Sequence, residues 1–213
     1  MENRNGSRSQ NGPLSGKPCL IACGIFRREL DALRRSGAVD AEVVYLGSFL
    51  HLDYGKLRSA LETALRRERG RRPVVVYGDV CMGFGEEIKP LVEAHGAVKV
   101  DGLNCIDCLL GGRGKLLEVD PRHELLFLTP GWIRFFERYV EENPEERKKP
   151  FSVLKGILLV DGLGDLSEYR ERIEKISEQT GLPVLGEKHV GLSGLLAVIR
   201  EALDRRRDGR PGQ

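Results

Sequence analysis

Five cysteines in this chain could do thiol chemistry, and four of them fall where an apolar run ends: Cys23, Cys81, Cys105 and Cys108. The sharpest pattern is Cys105-Ile106-Asp107-Cys108. Two thiolates three residues apart, at a turn entering a helix, can hold one metal ion or form one disulfide. Zinc sites usually carry two such pairs. Cys23 and Cys81 could complete a tetrahedral set, but only if the fold brings them together. His51, in the loop Gly47-Ser48-Phe49-Leu50-His51, is the alternative fourth ligand, and an open position for water or substrate is a third possibility. A thiol at a helix N-terminus also has a redox reading, because the helix dipole favours the thiolate. This pair, however, follows the fourth strand of the chain, whereas thioredoxin-like proteins carry theirs near the start. Asp107, between the thiols, is a candidate base or ligand-orienting group, or equally a helix cap. Cys19 lies inside an apolar run and reads as a small core residue.

The elements that must position these residues follow from hydrophobic patterning. Cys19–Cys23, Glu42–Leu46, Val74–Tyr77, Val98–Asp101, Leu125–Leu128, Ile157–Val160 and Pro183–Leu185 read as strands. Helical spacing appears over Arg27–Ser36, Tyr54–Arg69, Glu86–Ala94, Gly131–Glu142, Ser167–Thr180 and Leu192–Ala202. Apolar strands alternating with helices predict an α/β protein with a Rossmann-like three-layer fold, its mostly parallel sheet covered by helices on both faces. Residues 1–17 read as a disordered polar tail, 18–203 as a single α/β domain with a possible second βα half from about 151, and 204–213 as a polar C-terminal tail. Glu142-Asn143-Pro144 is expected to break the helix over Gly131–Glu142.

In such sheets ligands bind beyond the carboxyl ends of the strands. The loops there also carry glycines that would let backbone approach a cofactor: Gly24, Gly78, Gly83 and Gly131. Other motifs fail on inspection. Gly111-Gly112-Arg113-Gly114-Lys115 lacks the first glycine of a phosphate loop, since Leu109 stands there, and Leu116 replaces the magnesium-binding hydroxyl. A flexible turn, or a weak anion site through backbone amides and Arg113, is what remains. Gly162-Leu163-Gly164 follows a strand, but Ser167 stands where the dinucleotide fingerprint needs glycine, and Asp165 with Glu168 reads as a helix-capping pair. Glu187-Lys188-His189-Val190-Gly191 misses the acid and glycine spacing of a cobalamin-binding motif, and too little chain follows it to enclose a corrinoid tail. His95, His123 and His189 read as surface residues. Trp132, the only tryptophan, reads as core before site.

The totals exclude several classes. The 213 residues are 40% hydrophobic and 31% charged, ordinary for a globular chain. A net charge of +2 gives no general pull toward nucleic acid or membrane. No apolar run reaches a membrane span, and the polar N-terminus lacks the apolar core of a signal peptide. A cytoplasmic location is therefore expected, where clustered cysteines stay reduced and read as ligands before disulfides.

The chain resembles the family called "domain of unknown function 1638". The residues that carry the likeness are Ile21-Ala22-Cys23-Gly24 followed by Arg28-Glu29-Leu30, then Leu50-His51, Tyr77-Gly78 with Cys81, Asp107-Cys108, and Leu128-Thr129-Pro130-Gly131-Trp132. The likeness runs from about Cys19 to Leu203. Many relatives carry His-Asp-Cys where this chain has Ile106-Asp107-Cys108, so Cys105 stands as the replacement for that histidine. The resemblance implies association with corrinoid-dependent methyl transfer in anaerobic bacteria and archaea. Methyltransferase or corrinoid-protein partners, and a small thiol or methyl donor as substrate, are the corresponding expectations. The leading expectation is thus a site for zinc or another transition metal on Cys23, Cys81 and Cys108 plus Cys105 or His51. A non-enzymatic metallochaperone or interaction subunit, and a Cys-x-x-Cys thiol–disulfide protein, are the alternatives.

Overall fold

A computed structural model describes residues 16–85, 88–142 and 151–208. The expected N-terminal tail up to Ser15, the start of the third helix at Glu86 and the break at Pro144 lie outside these residues.

The chain is α/β with Rossmann-like layering, and all its strand pairs are parallel. Among the described residues, seven strands divide into two sheets. The first contains β1 (Cys19–Cys23), β2 (Glu42–Leu46), β3 (Val74–Val76) and β4 (Val98–Lys99), in the order β2-β1-β3-β4. The second contains β5 (Leu125–Leu128), β6 (Gly156–Asp161) and β7 (Val184–His189), in that order. Every residue of β1 and β3 is buried, as the unbroken apolar runs CLIAC and VVV require of central strands. Edge strand β7 is mostly exposed, and its observed span extends past Leu185 into a polar stretch that carried no strand signal. Backbone pairing with β6 rather than side-chain burial holds that stretch.

Eight α-helices accompany the strands: α1 (Arg27–Arg35), α2 (Tyr54–Arg67), α3 (Ile88–Ala94), α4 (Cys105–Leu110), α5 (Lys115–Val119), α6 (Pro130–Glu142), α7 (Arg170–Thr180) and α8 (Ser193–Asp208), among the described residues. One buried cluster joins the first sheet to Leu30, Leu57, Leu61, Ile88 and the α8 residues Leu195 and Ile199. A second gathers Leu128 and Ile157 with Ile133, Phe136 and Ile176 of α6 and α7. The last helix therefore leaves the second sheet and returns to pack on the first. No described helix is long and apolar enough to cross a membrane.

Two boundaries differ from expectation for identifiable reasons. Residues 204–208 continue α8 instead of forming a tail, because its arginines find buried partners. Arg206, 4% exposed, donates to the carbonyls of Arg71 and Arg72 at 2.7–3.1 Å, and Arg205 donates to Lys99 O at 2.7 Å. Asp165 makes no capping bond to the 3-10 turn at Leu166–Tyr169, because its carboxylate is paired with Arg28.

Candidate functional site

Strand order alone selects one crevice. The chain leaves β1 for β2 on one side and reaches β3 on the other, so the switch point lies between β1 and β3. Ala22 pairs with Val76, so Cys23 and Tyr77 leave adjacent strands side by side. Cys23 also pairs with Leu46, which sends the following 3-10 turn, Ser48–Leu52, over the same strand ends. His51 on this turn has Nδ1 4.0 Å from Cys23 Sγ.

The loop after β3 is zipped to the loop after β4. Asp79 N donates to Gly102 O at 3.1 Å and Val80 N to Leu103 O at 3.0 Å. A Cβ on Gly78 would lie 2.3 Å from Asn104 Cα and 2.4 Å from Leu103 O, so only glycine allows this approach. A Cβ on Gly102 would lie 2.7 Å from Cys108 Sγ. The two loops thereby bring Cys81 toward Cys105 and Cys108. Burial pushes the thiols of Cys23, Cys81 and Cys105 up to about 12, and raises Cys108 as well. Each also feels another of the set: Cys23 feels Cys105, Cys81 feels Cys23, Cys105 feels Cys81, and Cys108 feels Cys105 and Cys81. All five cysteines are free thiols. Cys23, Cys105 and Cys108 are buried, and Cys81 alone of the four reaches the surface in part. Cys19 is fully buried in β1, as expected.

The second sheet supplies one wall. Trp132, on α6, is half-buried and donates its indole N–H to Cys105 Sγ at 2.9 Å. Its ring meets His51 edge-on at 6.3 Å between centroids, and His51 stacks with Tyr77 at 6.0 Å. Trp132→Phe keeps one aromatic ring but removes the N–H donor together with the pyrrole ring that carries it. It is expected to cost about 1 kcal/mol in urea unfolding, and an unchanged midpoint would leave that bond without energetic weight. His51 Nδ1 lies 3.0 Å from Ser48 O, so this nitrogen carries the proton and Nε2 keeps its lone pair. Burial lowers the His51 pKa and favours the neutral ring that a metal needs. Sequence reasoning missed Tyr77, whose fully buried hydroxyl makes no hydrogen bond of ordinary geometry and interacts with Cys23 and Cys81. It also missed Lys99, a buried ammonium 2.8 Å from Asp79 Oδ1 that pulls against the rise of the Cys108 thiol. Tyr77 read as the end of a β-branched strand, and Lys99 lay inside the expected strand Val98–Asp101 without being singled out. For Tyr77, position at the end of a strand was the available signal; Lys99, within β4, offered none.

Several expected site residues do other work. Asp107, expected as a base, is fully buried, and its oxygens accept backbone N–H bonds from Leu103 (3.0 Å), Gly114 (3.2 Å) and Leu116 (2.7 Å). It organises the loop instead of facing a substrate. In the glycine-rich turn, Gly114 N donates to the Asp107 carboxylate, Gly112 N and Lys115 N donate to the carbonyls of Asp107 and Gly112, and Arg113 is engaged by Asp79 and Asp101. These donors of the expected weak anion site are taken up by the chain itself. The glycines expected to admit a cofactor admit the chain itself. A Cβ on Gly131 would lie 2.4 Å from Ile25 O, one on Gly24 would lie 3.0 Å from Leu46 O, and Gly83, at φ +94°, faces the Tyr54 ring. The lowered thiol expected at the start of α4 is also corrected, since burial raises both Cys105 and Cys108. Among the described residues, no three His, Cys, Asp or Glu side chains stand arranged as a ready metal cage.

Comparison with protein families matches residues 45–197 to a family described as "Protein of unknown function (DUF1638)". That span includes His51, Cys81, Cys105, Cys108 and Trp132, and begins after Cys23. Neither the curated proteins nor the solved structures give a match.

Proposed function

For a chain that belongs to the DUF1638 family, we propose a thiolate metal site on Cys23, Cys81 and Cys108 completed by Cys105 or His51, serving methyl transfer to or from a thiol. The observation that supports this reading is that four free cysteines, and a histidine that burial favours as neutral, all lie at or beyond the carboxyl ends of strands of one parallel sheet. The donor set suits a borderline-soft cation such as zinc. Buried neutral thiols are comfortable without a metal but inert. A bound divalent cation would replace their protons and supply thiolate at neutral pH. The sulfurs would have to turn inward from their present directions to do so.

The chain's own residues would then divide the work. Trp132 steadies Cys105 through its N–H. Ser48 fixes the His51 tautomer. Lys99 places positive charge near Cys108 and Cys81, favouring their ionised forms. Cys81, the partly exposed member, is the sulfur a small thiol or methyl-donor substrate, or a corrinoid-protein partner, could reach. Thiol–disulfide exchange is less well supported, because burial raises every thiol of the set far above the range that such exchange uses. Protein purified anaerobically should carry about one metal ion per chain by elemental analysis. If it carries none, and Cys81→Ser/Cys108→Ser binds added zinc as well as the parent, the proposal is wrong.

A further inference from the structure

Glu29, on α1, is an acid that nothing in the thiol site uses. It is 2% exposed, and its Oε2 has no hydrogen-bond partner. A Cβ on Gly162 would lie 3.4 Å from Glu29 Cγ, 3.6 Å from Gly191 O and 3.7 Å from Leu192 Cδ2. Gly162, in the loop after β6, therefore lies against the Glu29 side chain, and the loop after β7 lies against Gly162 in turn. Both loops hold glycines in the left-handed region, Gly164 at φ +78° and Gly191 at φ +62°, where other residues are strained.

The charges that face Glu29 do not balance it. On its own helix stands Arg28, which is already paired with Asp165 and donates to Tyr169 Oη at 2.7 Å. From the end of β6 and the loop after it come two more carboxylates, Asp161 and Asp165. Asp161 accepts N–H bonds from Leu163 (3.0 Å) and Gly164 (2.7 Å), and its other oxygen lies 3.7 Å from Nδ1 of His189 at the end of β7. An ionised Glu29 would be a buried anion beside two others, helped only by its own backbone N–H and by an Arg28 already engaged elsewhere.

We propose that Glu29 is a proton-operated latch between α1 and the loops that follow β6 and β7. With the carboxyl neutral, the loops close over it. When the proton passes to water, the loops lift and let the carboxylate hydrate. Burial pushes Glu29 up to about 7, with Arg28 opposing and the two aspartates adding to the rise, so the latch turns over near neutral pH. The opened state exposes the carboxyl ends of β6 and β7, where an α/β sheet takes ligands. The latch involves none of the thiols and stands independently of the metal reading.

Hydrogen exchange followed by mass spectrometry tests this on the full chain, over peptides spanning 161–166 and 189–193, after correction for intrinsic exchange. With the group at about 7 closed and at its ordinary value open, opening should increase roughly 30-fold between about pH 5.5 and 8.5. Glu29→Gln should stay protected at both pH values. His189→Gln should keep the parent's rise, which separates Glu29 from the imidazole. A rise that survives in Glu29→Gln, or disappears in His189→Gln, overturns the proposal. If Glu29→Gln does not fold, a 13C NMR titration of the glutamate carboxyls in the parent decides it. A midpoint at least one unit above the ordinary value supports the latch, and no such midpoint overturns it.

Discussion

The apparent zinc affinity of this chain is expected to climb steeply with pH between about 6.5 and 7.5, by roughly 10,000-fold per unit if four cysteines bind and roughly 1,000-fold if three do. Burial holds Cys23, Cys81 and Cys105 up near 12 and raises Cys108, so each thiol is protonated in this window and must release one proton to become a ligand. His51 adds less to the slope than a thiol, because burial lowers its pKa and favours the neutral ring. The sign follows directly: removing protons from solution draws the thiols toward the bound form, and acid drives the metal off. Competition titrations against a chelator of known pH dependence would measure the slope. Cys105→Ser then settles the fourth ligand. The slope drops by one proton if Cys105 binds, and is unchanged if His51 does. A parent slope of two protons or fewer would sink the thiolate set.

Asp107→Ala should destabilise the fold by about 3 kcal/mol, since one buried and two partly buried backbone N–H groups lose their acceptor at once. The donors are those of Leu103, Gly114 and Leu116, and they hold the turn between β4 and α5. Asp107→Asn, with one acceptor oxygen left, should cost roughly half of that. Urea unfolding followed by circular dichroism gives both values. A loss under about 1 kcal/mol for Asp107→Ala would return Asp107 to the candidate bases. The Asn104 side chain, which accepts from Asp107 N at 2.9 Å, is untouched in both variants and keeps α4 capped.

The fold was legible wherever apolar runs were long and closed by glycine. β1 and β2 occupy the spans their patterning predicts, Cys19–Cys23 and Glu42–Leu46, and α2 begins at the predicted Tyr54. It was illegible where pairing or a distant partner stabilises polar sequence. β7 runs on through Glu187 and Lys188 because β6 supplies its hydrogen bonds. Residues past Leu203 stay helical because Arg206 reaches the carbonyls of Arg71 and Arg72.

The cysteines follow the same division. Their types and their positions after strands were enough to name Cys23, Cys81, Cys105 and Cys108 and the rival His51, because the carboxyl ends of parallel strands share one edge of a sheet. Sequence by itself also sufficed for the α/β class, which depends on local periodicity. Only tertiary structure could decide what surrounds those sulfurs. Burial depth, the indole N–H on Cys105, Lys99 near Cys108 and the three amides that claim Asp107 all join residues from separate segments. So does the buried Glu29, against which lies Gly162 from a loop more than a hundred residues along the chain. Desolvation and hydrogen-bond satisfaction are properties of what the folded chain packs against a group, and local sequence carries no record of them.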